Sequence, residues 1–323
     1  MELDAAQIDE LLRVARRYYL EGASQAEIAD DIHVSRPTVS RMLALAREVG
    51  VVKITVEHPY ERTSAMEAEL IETFGLKRAW VCEPGPDEDA KSAVAALAAR
   101  ALPTVLERDA VIGLSNGTTL AAMVDAIGSH RRVDSCVVQM IGSLGEDNQL
   151  IDSPDICRRL AERLGGTYRA IPAPLVMRTA RLAAAMRQEA SISVTLALGS
   201  RPDVALVGIG AKDASGSGQI FDRFMTPQIS DWLTAAGAVG HVVGHHYDVR
   251  GRHVESPLCR RIVGVPLDRL AHIPLVVGIA SGAAKAKAIL GAVSGGYINA
   301  LATDALTART LIDLAAREVG DAA

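Results

Sequence analysis

From Ala79 onward, short apolar runs alternate with segments of helical periodicity, and that alternation leaves few folds open to the chain. AWVC from Ala79, AVIGL from Ala110, VVQMI from Val137, TYRAI from Thr167, VALVGIG from Val204, VGHVV from Val239, RIVGV from Arg261, PLVVGIA from Pro274 and YINALAT from Tyr297 read as strands. Between them, residues 91–102, 154–164, 179–188, 227–236, 283–293 and 303–316 read as helices. This is the pattern of one large, mainly parallel sheet covered by helices on both faces. Repeats and low-complexity segments are absent from the sequence.

The amino-terminal part follows different rules. A first helix is expected over residues 5–20, with Ile8, Leu11, Leu12, Ala15, Tyr18 and Tyr19 on one stripe and Gly22 ending it. In SQAEIADDIHVSRPTVSRMLALAREVG, residues 24–50, Ser24 can cap a short helix whose apolar side carries Ala26, Ile28, Ala29 and Ile32. His33 and Val34 then make a turn, and Ser35 is the next cap. Pro37 falls in the first turn of the following helix, where its missing N–H costs nothing. Val39, Met42, Leu43 and Ala46 recur at helical spacing and form a buried stripe, leaving Pro37, Ser40, Arg41 and Ala44 outward. Such a helix-turn-helix presents a small, polar, cationic face suited to a DNA major groove, with Arg36, Thr38, Ser40 and Arg41 as donors. VVKITVEH, residues 51–58, reads as a strand or wing ended by Pro59, and residues 66–74 read as a linking helix.

SRPTVSRML, residues 35–43, resembles the reader helix of the SorC/DeoR-type sugar-responsive transcriptional regulators. LVGIGAKD from Leu206, GAVGHVVGHHYDVRGR from Gly237 and GAAKAKAILGAVSGGYINALATDALTART from Gly282 extend the resemblance over nearly the whole chain. The resemblance implies a DNA-binding domain over residues 1–59, contacting operator DNA through Gln25, Ser35, Arg36, Pro37, Thr38, Ser40 and Arg41. It also implies an effector-binding domain over residues 60–323 with a Rossmann-like α/β fold similar to ribose-phosphate isomerases and CoA transferases. That domain would bind a sugar or polyol, usually phosphorylated, and alter DNA affinity. Neither a cofactor nor a metal is expected. Paired operator half-sites imply a dimer or tetramer.

GLSNGTT, residues 113–119, joins strand AVIGL to helix TLAAMVDAI. Glycines let an anion approach the backbone, the helix offers free N–H groups, and Ser115, Thr118 and Thr119 add hydroxyls. The purely structural alternative is a tight turn with threonines capping the helix. The resemblance places an effector phosphate here, against Ser115, Asn116, Gly117, Thr118 and Thr119, with Lys285 reaching the phosphate and Gln139 at a polar pocket position. A backbone-satisfied glutamine is the alternative for Gln139. The resemblance implies that relatives often carry Asp or Glu where this chain has His241; an imidazole can bond a sugar hydroxyl or favour an anionic group. Some relatives hold their sugar through a Schiff-base lysine near VVQMI, but this chain has no lysine between Lys91 and Lys212.

Two enzymatic readings compete. Residues 113–117 match G-x-S-x-G, a nucleophile elbow with Ser115 as nucleophile, Asp231 or Asp248 as the acid and His253 or His272 as the base. Against it, only one strand of the domain precedes the loop, no HGGG-like oxyanion stretch appears, and aromatics are just 3% of the chain. A sugar-phosphate isomerase would need a base-and-acid pair that the sequence does not offer. As for metals, His241 and His245 would share one face if they lay in one strand, but no acidic or cysteine ligand at suitable spacing completes a set.

The net charge of −5 argues against non-specific coating of nucleic acid. A local patch of Arg13, Arg16, Arg17, Arg36, Arg41 and Arg47 remains, partly offset by Asp30, Asp31 and Glu48. Cys82, Cys136, Cys157 and Cys259 lie far apart and fit a reducing compartment. With no leader pattern and no apolar run of spanning length, a cytoplasmic, membrane-free protein is expected.

Overall fold

The computed structural model describes residues 5–52, 59–128, 135–145, 152–212, 221 and 224–320. The chain forms two compact units, Met1–His58 and Pro59–Ala323.

The first unit holds three helices, α1 (Ala5–Tyr19), α2 (Gln25–Asp31) and α3 (Arg36–Glu48). Its core comprises Val14 and Ala15 of α1, Ile28 and Ala29 of α2, and Val39 and Leu43 of α3. The α1 stripe is therefore rotated from the expected one. Leu11, Val14 and Ala15 are buried, whereas Ile8, Leu12 and Tyr19 are exposed. Ala26 also faces solvent, so α2 buries a narrower face than its apolar residues suggest. The expected wing falls mainly on residues 53–58, outside the described residues.

The second unit begins with α4 (Pro59–Phe74) and is built on a parallel sheet of seven strands. In chain order these are β1 (Arg78–Cys82), β2 (Val111–Leu114), β3 (Cys136–Gln139), β4 (Thr167–Arg169), β5 (Val204–Gly208), β10 (Leu275–Ile279) and β11 (Ala300–Asp304). Across the sheet the order is β1-β11-β10-β5-β2-β3-β4. Successive residues serve opposite cores, as the two-residue period of a strand requires. Val204 and Leu206 of β5 join a layer formed by α5 (Ala90–Val105), α6 (Thr118–Ala126) and α7 (Ser153–Leu164). Ala205 and Val207 join the other layer, with α4, α9 (Ala190–Gly199), α12 (Ala286–Ser294) and α13 (Ala305–Gly320). Between α7 and α9 the chain also makes α8 (Ala180–Gln188).

The nine candidate strands do not all enter one sheet. VGHVV belongs to a separate antiparallel sheet of β6 (Gly210–Ala211), β7 (Ala238–Val242), β8 (His245–Asp248) and β9 (His253–Val254). α10 (Pro227–Ala235) leads into β7. RIVGV forms only isolated bridges, Ile262 with Val176 and Gly264 with Ile141, followed by the one-turn helix α11 (Leu267–Leu270).

Candidate functional site

The order of the large sheet fixes where a ligand crevice opens. From β2 the chain proceeds outward to β3 and β4; it then returns to β5 and proceeds outward the other way to β10 and β11. β2 and β5 are neighbours, so the loops at their carboxyl ends diverge, which is the topological switch point where open α/β sheets bind ligands.

Both loops are tied together by Ser115. Its N–H donates to Leu206 O at 3.1 Å, and its hydroxyl accepts from Gly208 N–H at 3.2 Å and lies 3.5 Å from Asn116 O. Ser115 is 2% exposed, and its hydroxyl partners among the described residues are backbone groups. That arrangement braces the crevice floor and lacks the imidazole a serine nucleophile requires. Next to it, Asn116 is buried, and its Nδ2 has no hydrogen-bond partner among the described residues. Gly117 then caps α6 with φ 131°, a conformation that side-chain-bearing residues rarely adopt, and no side chain caps the helix. The first-turn N–H groups at Thr118 and Thr119 therefore remain directed at the carboxyl edge, with the positive end of the helix dipole.

Beyond β10, Gly282 enters a 3-10 turn, Ala283–Lys285, that packs against β6. Asp304, at the end of β11, holds this loop: its carboxylate accepts from Gly282 N–H at 2.8 Å, from Thr307 N–H at 2.9 Å and from the Thr307 hydroxyl at 2.6 Å. Lys285 is half-buried, with no hydrogen bond or ion pair to its ammonium among the described residues. Burial first, and then the charge of Lys91 in the first turn of α5, lower its pKa from the usual lysine value. An ammonium held this way is destabilised until an anion arrives.

His241 lies on β7 opposite Gly210 and is 6% exposed. Its ring meets Phe221 edge-on, with centroids 5.1 Å apart, and stands 5.5 Å from the ring of His246. His241 and His245 do not share a strand face. Val243 and Gly244 turn the chain between them, with φ of 43° and 84°, so His241 pairs with His246 across the hairpin.

Gln139 is fully buried. Its Nε2 donates to Ile141 O at 2.5 Å and its Oε1 accepts from Ile171 N–H at 2.7 Å, so the amide is used by the backbone in this structure. A second carboxylate escaped the sequence reading: Asp152 caps α7 and accepts from the N–H groups of Leu144 at 2.9 Å and Gly145 at 3.3 Å and from the Ser143 hydroxyl. An aspartate just before Ser-Pro is a cap signal and was the available clue.

In the first unit, both expected caps form. Glu27 N–H donates to the Ser24 hydroxyl at 3.3 Å while Ser24 N–H donates to the Glu27 carboxylate at 2.8 Å. Hydrogen bonding from Ser24 holds the Glu27 carboxyl below its usual pKa. At α3, Thr38 N–H donates to the Ser35 hydroxyl at 3.4 Å, and the two hydroxyls lie 2.8 Å apart. Arg36, Pro37, Ser40 and Arg41 are exposed, Gln25 and Thr38 half-buried. Arg41 Nε donates to Pro37 O at 3.4 Å, which lays its guanidinium along the helix surface. The expected basic patch is narrower than its arginine count, because Arg17 pairs with Asp31 and, at 3.4 Å, with Glu21.

Another polar cluster lies in the small sheet. Cys259 Sγ stands 3.6 Å from His253 Nε2 and 3.5 Å from the Ser256 hydroxyl. Burial alone would raise its thiol pKa, but the surrounding His245, His246, His253 and Ser256 hold it at about 3.

A family described as "Putative sugar-binding domain" matches residues 58–313. The chain is 31% identical over 316 residues to the transcriptional regulator LsrR of Klebsiella pneumoniae, spanning 97% of this chain and 95% of that protein. The chain belongs to this family of sugar-binding transcriptional regulators. A further member, the sorbitol operon regulator of Klebsiella pneumoniae, is 28% identical over 306 residues, 94% of this chain and 97% of that one. The crystal structure of the full-length sorbitol operon regulator SorC from Klebsiella pneumoniae superposes with a TM-score of 0.74 at 27% identity, covering 95% of this chain and 100% of the other. These family members are regulators and not enzymes, in keeping with the backbone role of the Ser115 hydroxyl. Among the described residues, no helix is long and apolar enough to cross a membrane.

Proposed function

We propose that the protein is a cytoplasmic, sequence-specific regulator of a carbohydrate or polyol operon, and that its effector is a phosphorylated sugar or polyol seated at the carboxyl edge between β2 and β5. The observations that carry this reading are unpaired donors at the carboxyl ends of the strands flanking β5: Asn116 Nδ2 and the uncapped start of α6 after β2, and the Lys285 ammonium in the turn after β10. A phosphate dianion satisfies all three kinds of donor at once. Ser115 and Gly117 shape the cradle, Thr118 and Thr119 supply N–H and hydroxyl groups, and His241 addresses the sugar end. Gln139 belongs to the wall, one strand away from the loop.

In the first unit, α2 and α3 act as a helix-turn-helix. Arg36, Ser40 and Arg41 reach DNA; Pro37 permits close approach; Gln25, Ser35 and Thr38 support the phosphate contacts beside them. Two or four copies present paired reader helices, with an effector domain akin to the ribose-phosphate isomerase fold holding them. Effector binding shifts the population between arrangements of the copies, with a coupling of about 1–3 kcal/mol.

A panel of sugar and polyol phosphates in thermal-shift measurements tests the effector assignment. At least one member stabilises the native chain and fails to stabilise Lys285→Ala; if none does, the phosphate site is wrong.

A further inference from the structure

The small sheet brings three potential metal ligands together from separate turns of the chain. His245 on β8 and His253 on β9 lie on one face of the antiparallel ribbon, because Tyr247 pairs with His253 and His245 sits two residues before Tyr247. Their rings stand 5.3 Å apart at 75° to one another. After β9 the chain folds back through a tight turn in which Cys259 N–H donates to Ser256 O at 3.0 Å and Leu258 N–H to the Ser256 hydroxyl at 3.2 Å. That turn returns Cys259 Sγ to the same face. One ligand atom from each of the three side chains lies within 4.8 Å of the others.

The Cys259–His253 separation is that of two ligands on a tetrahedral ion. With Zn–S near ~2.3 Å and Zn–N near ~2.0–2.1 Å, adjacent sulfur and nitrogen ligands stand roughly 3.6 Å apart. Cys259 Sγ and His253 Nε2 are separated by 3.6 Å. The buried Nδ1 of His245 has no hydrogen-bond partner among the described residues. His253 is exposed and Cys259 half-buried, which gives an ion a route in and leaves a fourth position for water. One sulfur and two imidazoles select a borderline-soft ion over magnesium or calcium.

We propose that His245, His253 and Cys259 bind a divalent transition metal of the zinc class, with a fourth position open to solvent. The ion clamps the β8–β9 hairpin to the turn that follows it. The proposed effector contact is not one of the three ligands: the ring of His241, on β7, packs against Phe221 with centroids 5.1 Å apart. The site does not depend on the identity of the effector.

The test uses the full chain, stripped with a chelator, kept reduced, and titrated with cobalt(II) and then zinc(II). The expected result is one cobalt per chain with a thiolate-to-cobalt charge-transfer absorption, displaced by zinc, and slower alkylation of Cys259 in the loaded protein. Cys259→Ser removes the charge-transfer band, and His253→Ala, an exposed position, lowers affinity at least about tenfold while leaving the metal-free circular dichroism unchanged. Absence of stoichiometric uptake, uptake without the thiolate band, or equal affinity in native chain and Cys259→Ser overturns the proposal. Lys285→Ala keeps full metal affinity, which separates failure at this site from failure at the effector site.

Discussion

The ring of His241 lies directly against Gly210: a Cβ on residue 210 would stand 2.1 Å from His241 Nε2 and 2.3 Å from its Cε1. The two residues are register partners between β6 and β7, so the close approach is built into the pairing. Gly210→Ala therefore has to displace the imidazole from its place beside Phe221. Overpacking of this kind costs about 1–3 kcal/mol, read as a lower melting temperature, and the proposed sugar contact is lost with it. An unchanged melting temperature contradicts the tight seat of the ring.

Lys285 gives the effector site a defined pH dependence. Burial and Lys91 lower its pKa in the free protein, so the folded chain releases this proton below the ordinary lysine range. The unfolded chain binds more protons there, and this group's contribution to stability rises with pH through that interval. A bound phosphate reverses the balance by favouring the ammonium. Phosphate affinity therefore falls as pH climbs, beginning below the usual lysine titration, and binding takes up a proton. Calorimetry from about pH 7 to about pH 10 measures this, and Lys285→Arg flattens the profile.

Arg41 is exposed on α3, and the one hydrogen-bond partner of its side chain among the described residues is Pro37 O. Arg41→Ala is expected to weaken operator binding by about 1–3 kcal/mol if it reads a base, or to reduce the salt slope by about one if it contacts phosphate. Melting of the second unit is unaffected. Anisotropy titrations at several salt concentrations distinguish the two outcomes.

The caps of α2 and α3 are expected to matter locally. Ser24→Ala removes the hydroxyl that accepts from Glu27 N–H while the backbone N–H of residue 24 still reaches the Glu27 carboxylate, and Ser35→Ala removes the bond to Thr38 N–H. Each loss costs about 1 kcal/mol, visible as faster hydrogen exchange in the first unit only.

The caps, the turn and the buried stripe of α3 were legible because each rests on a local rule: Ser35 before Pro37, and Val39, Leu43 and Ala46 at helical spacing. Most strands of the large sheet were legible as apolar runs between helices. The small sheet was not. Its hairpin turns at Val243, a β-branched residue at positive φ, in place of the Asn-Gly or Gly-Gly that announces such turns, so His241 and His245 read as one continuous strand. Cys259 was invisible as a partner of His245 because the turn at Ser256, not the spacing, brings it back. The rotated stripe of α1 has a similar origin: six apolar residues at helical spacing define more than one face, and tertiary packing on Ile28 and Leu43 selects the one containing Val14.

Coupling between the two units is the central claim, and operator affinity measured by fluorescence anisotropy with and without saturating sugar phosphate tests it most directly. The DNA is the promoter region beside the protein's own gene, and the ligand is the one that stabilises the native chain. Operator affinity is predicted to change at least about fivefold on adding that ligand to the native protein and to stay constant in Lys285→Ala. A native protein that binds both DNA and the sugar phosphate, with the same operator affinity in its presence and absence, contradicts the account.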